Sequence, residues 1–131
     1  MDHLVHQTTK QRGDAGEEIA ARHLLAHGLG LLGRNFRVKG GEIDLICRDG
    51  ATIVFVEVRR RARTDYGGAA WSITPAKQRR LVLAARHWLV RHGQYDKVAC
   101  RFDCVLINGN NGSENDGGEQ LEWIRNAFDA G

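Results

Sequence analysis

Residues 41–63 read GEIDLICRDGATIVFVEVRRRAR, and this stretch decides the predicted fold because apolar and polar side chains alternate on both sides of one turn signal. Two β-strands are predicted, at 42–48 and 52–60, since both segments are rich in Ile, Leu, Val and Phe. The Asp49-Gly50 pair between them is a strong hairpin signal. The stretch therefore predicts an antiparallel β-hairpin.

The predicted register of this hairpin places acidic side chains opposite each other. A two-residue turn at Asp49-Gly50 sets Glu42 against Glu57 and Asp44 against Phe55. Because side chains alternate between the faces of a sheet, one face is expected to combine acidic, aromatic and basic groups: Glu42, Asp44, Phe55, Glu57 and Arg59. The opposite face is uniformly apolar and is expected to pack in the core: Ile43, Leu45, Cys47, Val54, Val56 and Val58.

Facing carboxylates destabilise a sheet unless something compensates their charge. At about 5 Å and an effective dielectric of about 20, two of them repel by roughly 3 kcal/mol. Asp44 lies on the diagonal from Glu57, so a hard divalent cation such as Mg²⁺ or Mn²⁺ is expected between them. Arg59 would then stand beside the ion and face a phosphate. The alternative is a solvated face on which these acids form salt bridges with Arg37, Arg48 and Arg59.

The remaining chain predicts one domain of the α/β class, with a mixed β-sheet flanked by helices. Residues 1–12 are expected to form a flexible tail, residues 13–131 a single domain, and residues 108–118 a mobile loop within it. A first helix is predicted from Gly13, with Asp14 as N-cap, to Gly28. Strands are predicted at 31–38, 98–107 and 120–124, and a second helix from Thr74-Pro75 to about His92.

Charge is distributed unevenly along the chain. The net charge is +3, yet basic residues gather after the hairpin and at the start of the second helix, and acidic residues gather near the C-terminus. Such asymmetry is typical of a surface that faces a polyanion, most commonly nucleic acid. A solvated basic face without a partner remains the alternative. The residues expected to contact phosphates are Arg60, Arg61, Arg63, Lys77 and Arg80.

Cysteine usage and hydropathy predict a cytoplasmic protein that does not enter a membrane. Cys47, Cys100 and Cys104 form no CxxC motif and lie in apolar surroundings, which is typical of reduced, buried thiols. No apolar run approaches the roughly 20 residues of a membrane span, and the N-terminus lacks the apolar core of a signal peptide.

Two further groups of side chains are candidates for the site. Glu17 lies on the apolar stripe of the first helix and so is expected to point towards the carboxylates of the sheet, although a first-turn acid also favours the helix dipole. Tyr66 and Trp71, in the loop before the second helix, are candidates for stacking on unpaired bases, or else pack locally.

Several motifs together resemble the YraN-like family of bacterial proteins: Gly16-Glu17, Arg34-Asn35-Phe36-Arg37, Gly41-Glu42-Ile43-Asp44-Leu45-Ile46, Val54-Phe55-Val56-Glu57-Val58-Arg59, Arg101-Phe102-Asp103 and Asn126-Ala127-Phe128. This family is similar to Holliday-junction resolvases and belongs to the restriction-endonuclease-like superfamily. The resemblance implies an αβββαβ core and Mg²⁺-dependent phosphodiester hydrolysis. It implies metal ligation by Asp44 and Glu57, catalytic roles for both and for position 59, and assistance from Glu17 and Gln78. A homodimer is expected if the assembly also resembles the resolvases.

Position 59 departs from the superfamily pattern, since it holds arginine where lysine is usual. Arginine stays protonated and cannot act as a general base, but it stabilises negative charge on a phosphate. The first hypothesis is therefore a metal-dependent endonuclease for DNA or RNA, including branched DNA, with DNA the more expected partner. The second is a nucleic-acid-binding protein on the same scaffold that does not cleave. The third is a protein-interaction module.

Overall fold

The computed structural model describes residues 9–61, 73–108 and 120–130, with the backbone alone for residues 9–14, Arg61 and Gln120. Two helices and five strands follow each other in this order: α1 (Thr9–Ala26), β1 (Gly30–Val38), β2 (Gly41–Asp49), β3 (Thr52–Arg61), α2 (Pro75–Arg91), β4 (Cys100–Asn108) and β5 (Gln120–Phe128). No helix among these residues has both the length and the apolar character to cross a membrane.

The five strands form one sheet in the order β1-β2-β3-β4-β5. Only β3 and β4 run parallel, and α2 makes the crossover that a parallel pair requires. The neighbouring pairs on either side are antiparallel. The predicted mixed α/β sheet with an αβββαβ core is therefore confirmed.

Each helix covers one face of the sheet. The apolar face of α2 (Leu81, Ala84, Ala85, Trp88 and Leu89) packs with Phe55, Phe102 and Leu106. On the other face, Ala20, Ala21 and Leu24 of α1 pack with a second set of strand residues: Leu45, Cys47, Val54, Val56, Val105 and Ile107. Both faces of the central strands are thus buried, which explains their near-continuous apolar sequences.

The hairpin forms as predicted, but its register is shifted by two residues. Asp49 pairs with Thr52 and Ile46 with Phe55, so the turn residues are Gly50 and Ala51. Gly50 has a φ of 62°, and glycine as the first central residue is typical of a type II′ turn. The predicted opposition of Glu42 and Glu57 is therefore wrong. The paired residues end at Leu45 and Val56, directly beside Asp44 in β2 and Glu57 in β3.

Side-chain alternation also changes phase in β1 and β2, which the period-two pattern did not predict. Asn35 has a left-handed φ of 51°, and it lies between Arg34, which contacts α1, and Phe36, which contacts α2. In β2 the change falls between Ile43, on the α2 side, and Leu45, on the α1 side. The prediction that Ile43 shares a face with Leu45 and Cys47 is wrong for this reason.

Two elements are longer than predicted. α1 begins at Thr9, so it includes residues 9–12 of the expected tail, and Asp14 lies inside the helix instead of capping it. β5 reaches Phe128, beyond the predicted end at residue 124. A left-handed Asn126 and a register shift against β4 interrupt the alternation there, which conceals the strand in the sequence. Residues 1–8 and all of the predicted mobile loop except Asn108 lie outside the described residues.

Candidate active site

Asp44 lies where the ladder between β2 and β3 ends. The last backbone pair of that ladder is Leu45 with Val56. Beyond this pair, the Val58 N–H donates a hydrogen bond of 2.8 Å to Oδ2 of Asp44. The carboxylate of Asp44 thus accepts the hydrogen bond that a backbone carbonyl would accept in a regular ladder. Glu57 lies in β3 beside this break in the ladder.

Burial raises the pKa of Asp44 to about 7, and the carboxylate of Glu57 adds to the rise. The hydrogen bond from Val58 opposes these effects, while the charges of Glu17 and Glu42 reinforce them. Asp44 and Glu57 therefore lie within electrostatic reach of each other in a poorly solvated position. Such an arrangement disfavours two negative charges unless a cation joins them.

Glu57 is the second acid of the pair and is almost fully buried. Its side chain is 6% exposed, and its Oε2 accepts a hydrogen bond of 2.7 Å from Nζ of Lys77. Lys77 is 48% exposed, so the ion pair extends from the buried carboxylate to the surface. The sequence predicted that Lys77 contacts a phosphate, and it did not predict the contact of Lys77 with Glu57.

The start of α2 holds Lys77 in place. Thr74 is the N-cap and its hydroxyl accepts from the Lys77 N–H at 3.2 Å, while Pro75 occupies the first turn. Gly41 of β2 lies so close to α2 that a β-carbon there would be 2.5 Å from the carbonyl oxygen of Arg80. Since Pro75 has no N–H and the Lys77 N–H is already bonded, little of the predicted phosphate-binding capacity of this helix terminus is available.

Cys104 shows that four charged groups surround one position in the sheet. Its thiol is buried beside Glu57, its neighbour in the parallel ladder. Burial raises the pKa of Cys104 to about 12; Glu57 and Asp44 add to the rise, and Arg59 and Lys77 oppose it. Two acids and two bases therefore act on the same sulfur. Arg59 lies near the acidic pair, as predicted from its position in β3.

The two other acids near the pair differ in their surroundings. Glu42 is half-buried and its Oε1 lies 3.7 Å from Nε of Arg37, which is a salt bridge that the alternative interpretation predicted. Glu17 of α1 is half-buried and acts electrostatically on Asp44, in keeping with a side chain directed towards the sheet. Its neighbour Glu18 forms exposed salt bridges with Arg22 and Arg34.

The remaining predicted site residues lie at varying distances from the acidic pair. The amide nitrogen of Gln78 donates to the carbonyl of Ile73 at 2.8 Å, so Lys77 and not Gln78 is the α2 residue that contacts Glu57. Arg80 is exposed on α2, and Arg60 is exposed near Gly16 of α1. The Arg61 side chain, Arg63, Tyr66 and Trp71 lie outside the described residues, so their roles stay predictions.

A separate buried acid, Asp103, has a structural environment. Its carboxylate accepts hydrogen bonds from Arg101 at 3.0 Å, from the Trp123 indole at 3.0 Å and from the Asn126 N–H at 2.9 Å. Arg101 also pairs with Asp49 at the tip of the hairpin. The contacts with Trp123 and Asn126 join β4 to β5, and the contact with Asp49 joins β4 to β2, which agrees with the interpretation of Arg101 and Asp103 as a structural pair.

Among residues 9–61, 73–108 and 120–130, no three His, Cys, Asp or Glu side chains form a metal-binding group. The candidate ligands are the two carboxylates of Asp44 and Glu57. This number fits Mg²⁺, which commonly binds one or two carboxylates and completes its shell with water and substrate phosphates. The desolvated, mutually repelling carboxylates of Asp44 and Glu57 supply the oxygen donors that such an ion prefers.

Comparisons with known proteins agree with the motif resemblance. The family model described as "Uncharacterised protein family UPF0102" matches residues 16–107. A UPF0102 protein of Dechloromonas aromatica is 56% identical over 130 residues, covering 99% of this chain and 98% of the relative. The UPF0102 protein YraN of Escherichia coli is 51% identical over 122 residues, covering 92% and 86%. The YraN-like resemblance is thereby confirmed.

Proposed function

The chain belongs to the family UPF0102, and we propose that it is a metal-dependent nuclease that hydrolyses phosphodiester bonds of DNA or RNA, branched DNA included. The observation that carries the proposal is the pairing of Asp44 and Glu57. Two carboxylates lie together in a poorly solvated position, and the pKa of one is raised to about 7. Carboxyl groups whose pKa is strongly raised by burial and a neighbouring charge cluster at functional sites.

The surrounding residues support this chemistry. Asp44 and Glu57 would hold Mg²⁺ or Mn²⁺, and Glu17 would add negative charge from the opposite helix. When bound, the ion lowers the pKa of a coordinated water and polarises the phosphate. Arg59 would stabilise the charge that develops on the phosphate, because its guanidinium stays positively charged. Arg60, Arg61, Arg63 and Arg80 would bind the flanking backbone. The free cysteines favour a cytoplasmic location.

A second candidate function is nucleic-acid binding without cleavage. The observation that favours it is the ion pair between Lys77 and Glu57, since this ammonium neutralises the buried acid without a metal. Together with Arg59, it gives a site that is electrostatically balanced as it stands. This function predicts binding that neither requires a divalent cation nor changes in Asp44→Asn.

One assay separates the two functions. Labelled duplex, single-stranded and four-way-junction DNA, and matched RNA, are incubated with Mg²⁺ or Mn²⁺ and, separately, with EDTA. A nuclease cleaves at least one substrate with metal, stops in EDTA and is reduced to the EDTA level by Asp44→Asn. Glu42→Gln is the matched control, because it makes the same charge change at an acid paired with Arg37. Binding without cleavage in any metal supports the second function, and absence of salt-sensitive binding contradicts both.

A further inference from the structure

We propose that Lys77 of α2 supplies the catalytic amine that β3 lacks at position 59, and that its ammonium contacts the scissile phosphate from its place beside Glu57. This inference rests on the proposed nuclease function. It assigns the second helix a direct part in the reaction, where the sequence predicted a contact with the flanking backbone.

The distance between Lys77 and Glu57 is the first argument. Nζ lies 2.7 Å from Oε2 of an acid that is 6% exposed, so the amine is held at the centre of the site. A lysine that only attracts the nucleic-acid backbone would gain from a fully extended position in solvent. Lys77 keeps about half of its side chain exposed, which leaves the ammonium accessible to a phosphate that approaches Asp44 and Glu57.

The rigidity of its support is the second argument. The N-cap hydroxyl of Thr74 fixes the Lys77 backbone, and the contact of Gly41 with the backbone of α2 fixes the helix on the sheet. Preorganised donors stabilise a transition state because they need no rearrangement when charge develops. The backbone of Lys77 meets this condition through secondary structure and packing, and its ammonium is held by Glu57.

The chemistry of position 59 is the third argument. Arg59 and Lys77 act on the buried Cys104 together with Asp44 and Glu57, so both bases belong to one cluster. A planar guanidinium and a compact ammonium are not interchangeable. The cluster therefore combines a strand arginine with a helix lysine, whereas the superfamily that the sequence resembles usually has one strand lysine.

The reaction step assigned to Lys77 is charge stabilisation during hydrolysis. The oxygen of water forms a bond to phosphorus, and the bond from phosphorus to one sugar oxygen breaks. That oxygen leaves with the electron pair and takes up a proton, while the attacking water loses a proton to solvent. The ammonium of Lys77 donates a hydrogen bond to a non-bridging oxygen, on which negative charge accumulates, and it remains protonated throughout.

The test compares single-turnover cleavage by wild type, Lys77→Met, Lys77→Gln and the double variant Lys77→Met with Arg59→Lys. Both single variants are expected to cleave about 100-fold more slowly, with Kd for the substrate in EDTA changed less than about threefold, as a single phosphate contact allows. Restoring an amine on β3 is expected to recover at least about tenfold of the loss. Arg79→Met is the matched control, because Arg79 lines a cavity with Phe128 on another side of α2.

Two measurements besides cleavage test whether a variant is slow only because its structure has changed. Thermal melting shows whether each variant folds, and Lys77→Gln keeps a neutral hydrogen-bond donor for Glu57 if Lys77→Met does not fold. Mn²⁺ affinity is expected to be retained or increased in Lys77→Met, because the Glu57 oxygen is released from the ammonium. Loss of Mn²⁺ binding would overturn the assignment, since Lys77 would then act by shaping the acidic pair.

The outcomes distinguish this inference from the proposed function. A wild-type protein that cleaves nothing contradicts the nuclease function, and the role of Lys77 fails with it. Wild-type cleavage with a Lys77→Met rate within about threefold of it overturns the role of Lys77 alone. A slow Lys77→Met variant that Arg59→Lys does not rescue also overturns it, because an amine near Glu57 would then not be the missing group.

Discussion

The charge of Asp44 depends strongly on its surroundings. Burial and the Glu57 carboxylate raise its pKa to about 7 from the usual 3.8, so the folded protein keeps a proton that the unfolded chain releases. The stability that protonated Asp44 contributes is complete below about pH 4 and is lost as the pH rises through about 7. At higher pH the ionised carboxylate opposes folding of the metal-free protein.

Replacing Asp44 by asparagine is therefore expected to stabilise the metal-free protein at alkaline pH. In EDTA at pH 8, Asp44→Asn should raise the free energy of unfolding by on the order of 2 kcal/mol, with the gain shrinking towards pH 4. Urea denaturation at both pH values measures it. Glu42→Gln, with the same charge change at a half-buried acid, should shift stability by less than about 0.5 kcal/mol. An Asp44→Asn variant less stable than wild type at pH 8 would contradict the repulsion.

Asp103 has the opposite role, because its side chain is fully buried and its carboxylate binds three donors. Asp103→Ala should lower the free energy of unfolding by about 3–5 kcal/mol, since it leaves Arg101 without its buried partner. Denaturation by urea measures the loss. Asp49→Ala removes the more exposed partner of the same arginine and should cost less than about 1 kcal/mol. Equal losses in the two variants would show that the buried network is not what joins β4 to β5.

At the scale of elements, sequence patterns predicted most of what is local. The apolar face of α2 follows from helical periodicity, and β3 and β4 follow from near-continuous apolar runs, because helices bury both faces of the sheet. The register of the hairpin could not be predicted from the sequence, because Asp49-Gly50 and Gly50-Ala51 are both acceptable as the two central residues of the turn. The phase change at Asn35 depends on one left-handed residue, and the contact of Lys77 with Glu57 depends on how α2 lies on the sheet. Neither leaves a periodic signal.

The contact between β2 and α2 tests this element-level account. A β-carbon at Gly41 would meet backbone atoms of α2 at 2.5 Å and 3.1 Å, and backbone atoms cannot rotate away. Gly41→Ala should therefore destabilise the protein by about 2 kcal/mol and displace the start of α2, with slower cleavage as a consequence.

Gly30→Ala is the matched control, because a β-carbon there meets nothing within 4 Å. Its free energy of unfolding should stay within about 0.5 kcal/mol of wild type. A Gly41→Ala variant as stable as Gly30→Ala would contradict the close approach of α2 to β2.

At the scale of the whole molecule, the basic side chains are expected to give an affinity for nucleic acid that depends on the salt concentration and not on the base sequence. Each neutralised phosphate contributes about −0.9 to the slope of log K against log salt concentration. Arg80→Gln should reduce the magnitude of this slope by about one in EDTA, as measured by fluorescence anisotropy with duplex DNA. Arg22→Gln, which removes a partner of Glu18 on α1, should leave it unchanged. A slope that neither variant alters, or no salt dependence at all, would exclude Arg80 from the interface.

The central claim is that Asp44 and Glu57 together bind a divalent cation. Titration with Mn²⁺ at pH 8, followed by the electron paramagnetic resonance signal of the free ion, tests it without requiring a substrate. We expect saturable binding to wild type and to Glu42→Gln, and its loss in Asp44→Asn and Glu57→Gln. Wild-type protein that takes up no Mn²⁺, or an Asp44→Asn variant that binds it as tightly as wild type, would contradict the claim.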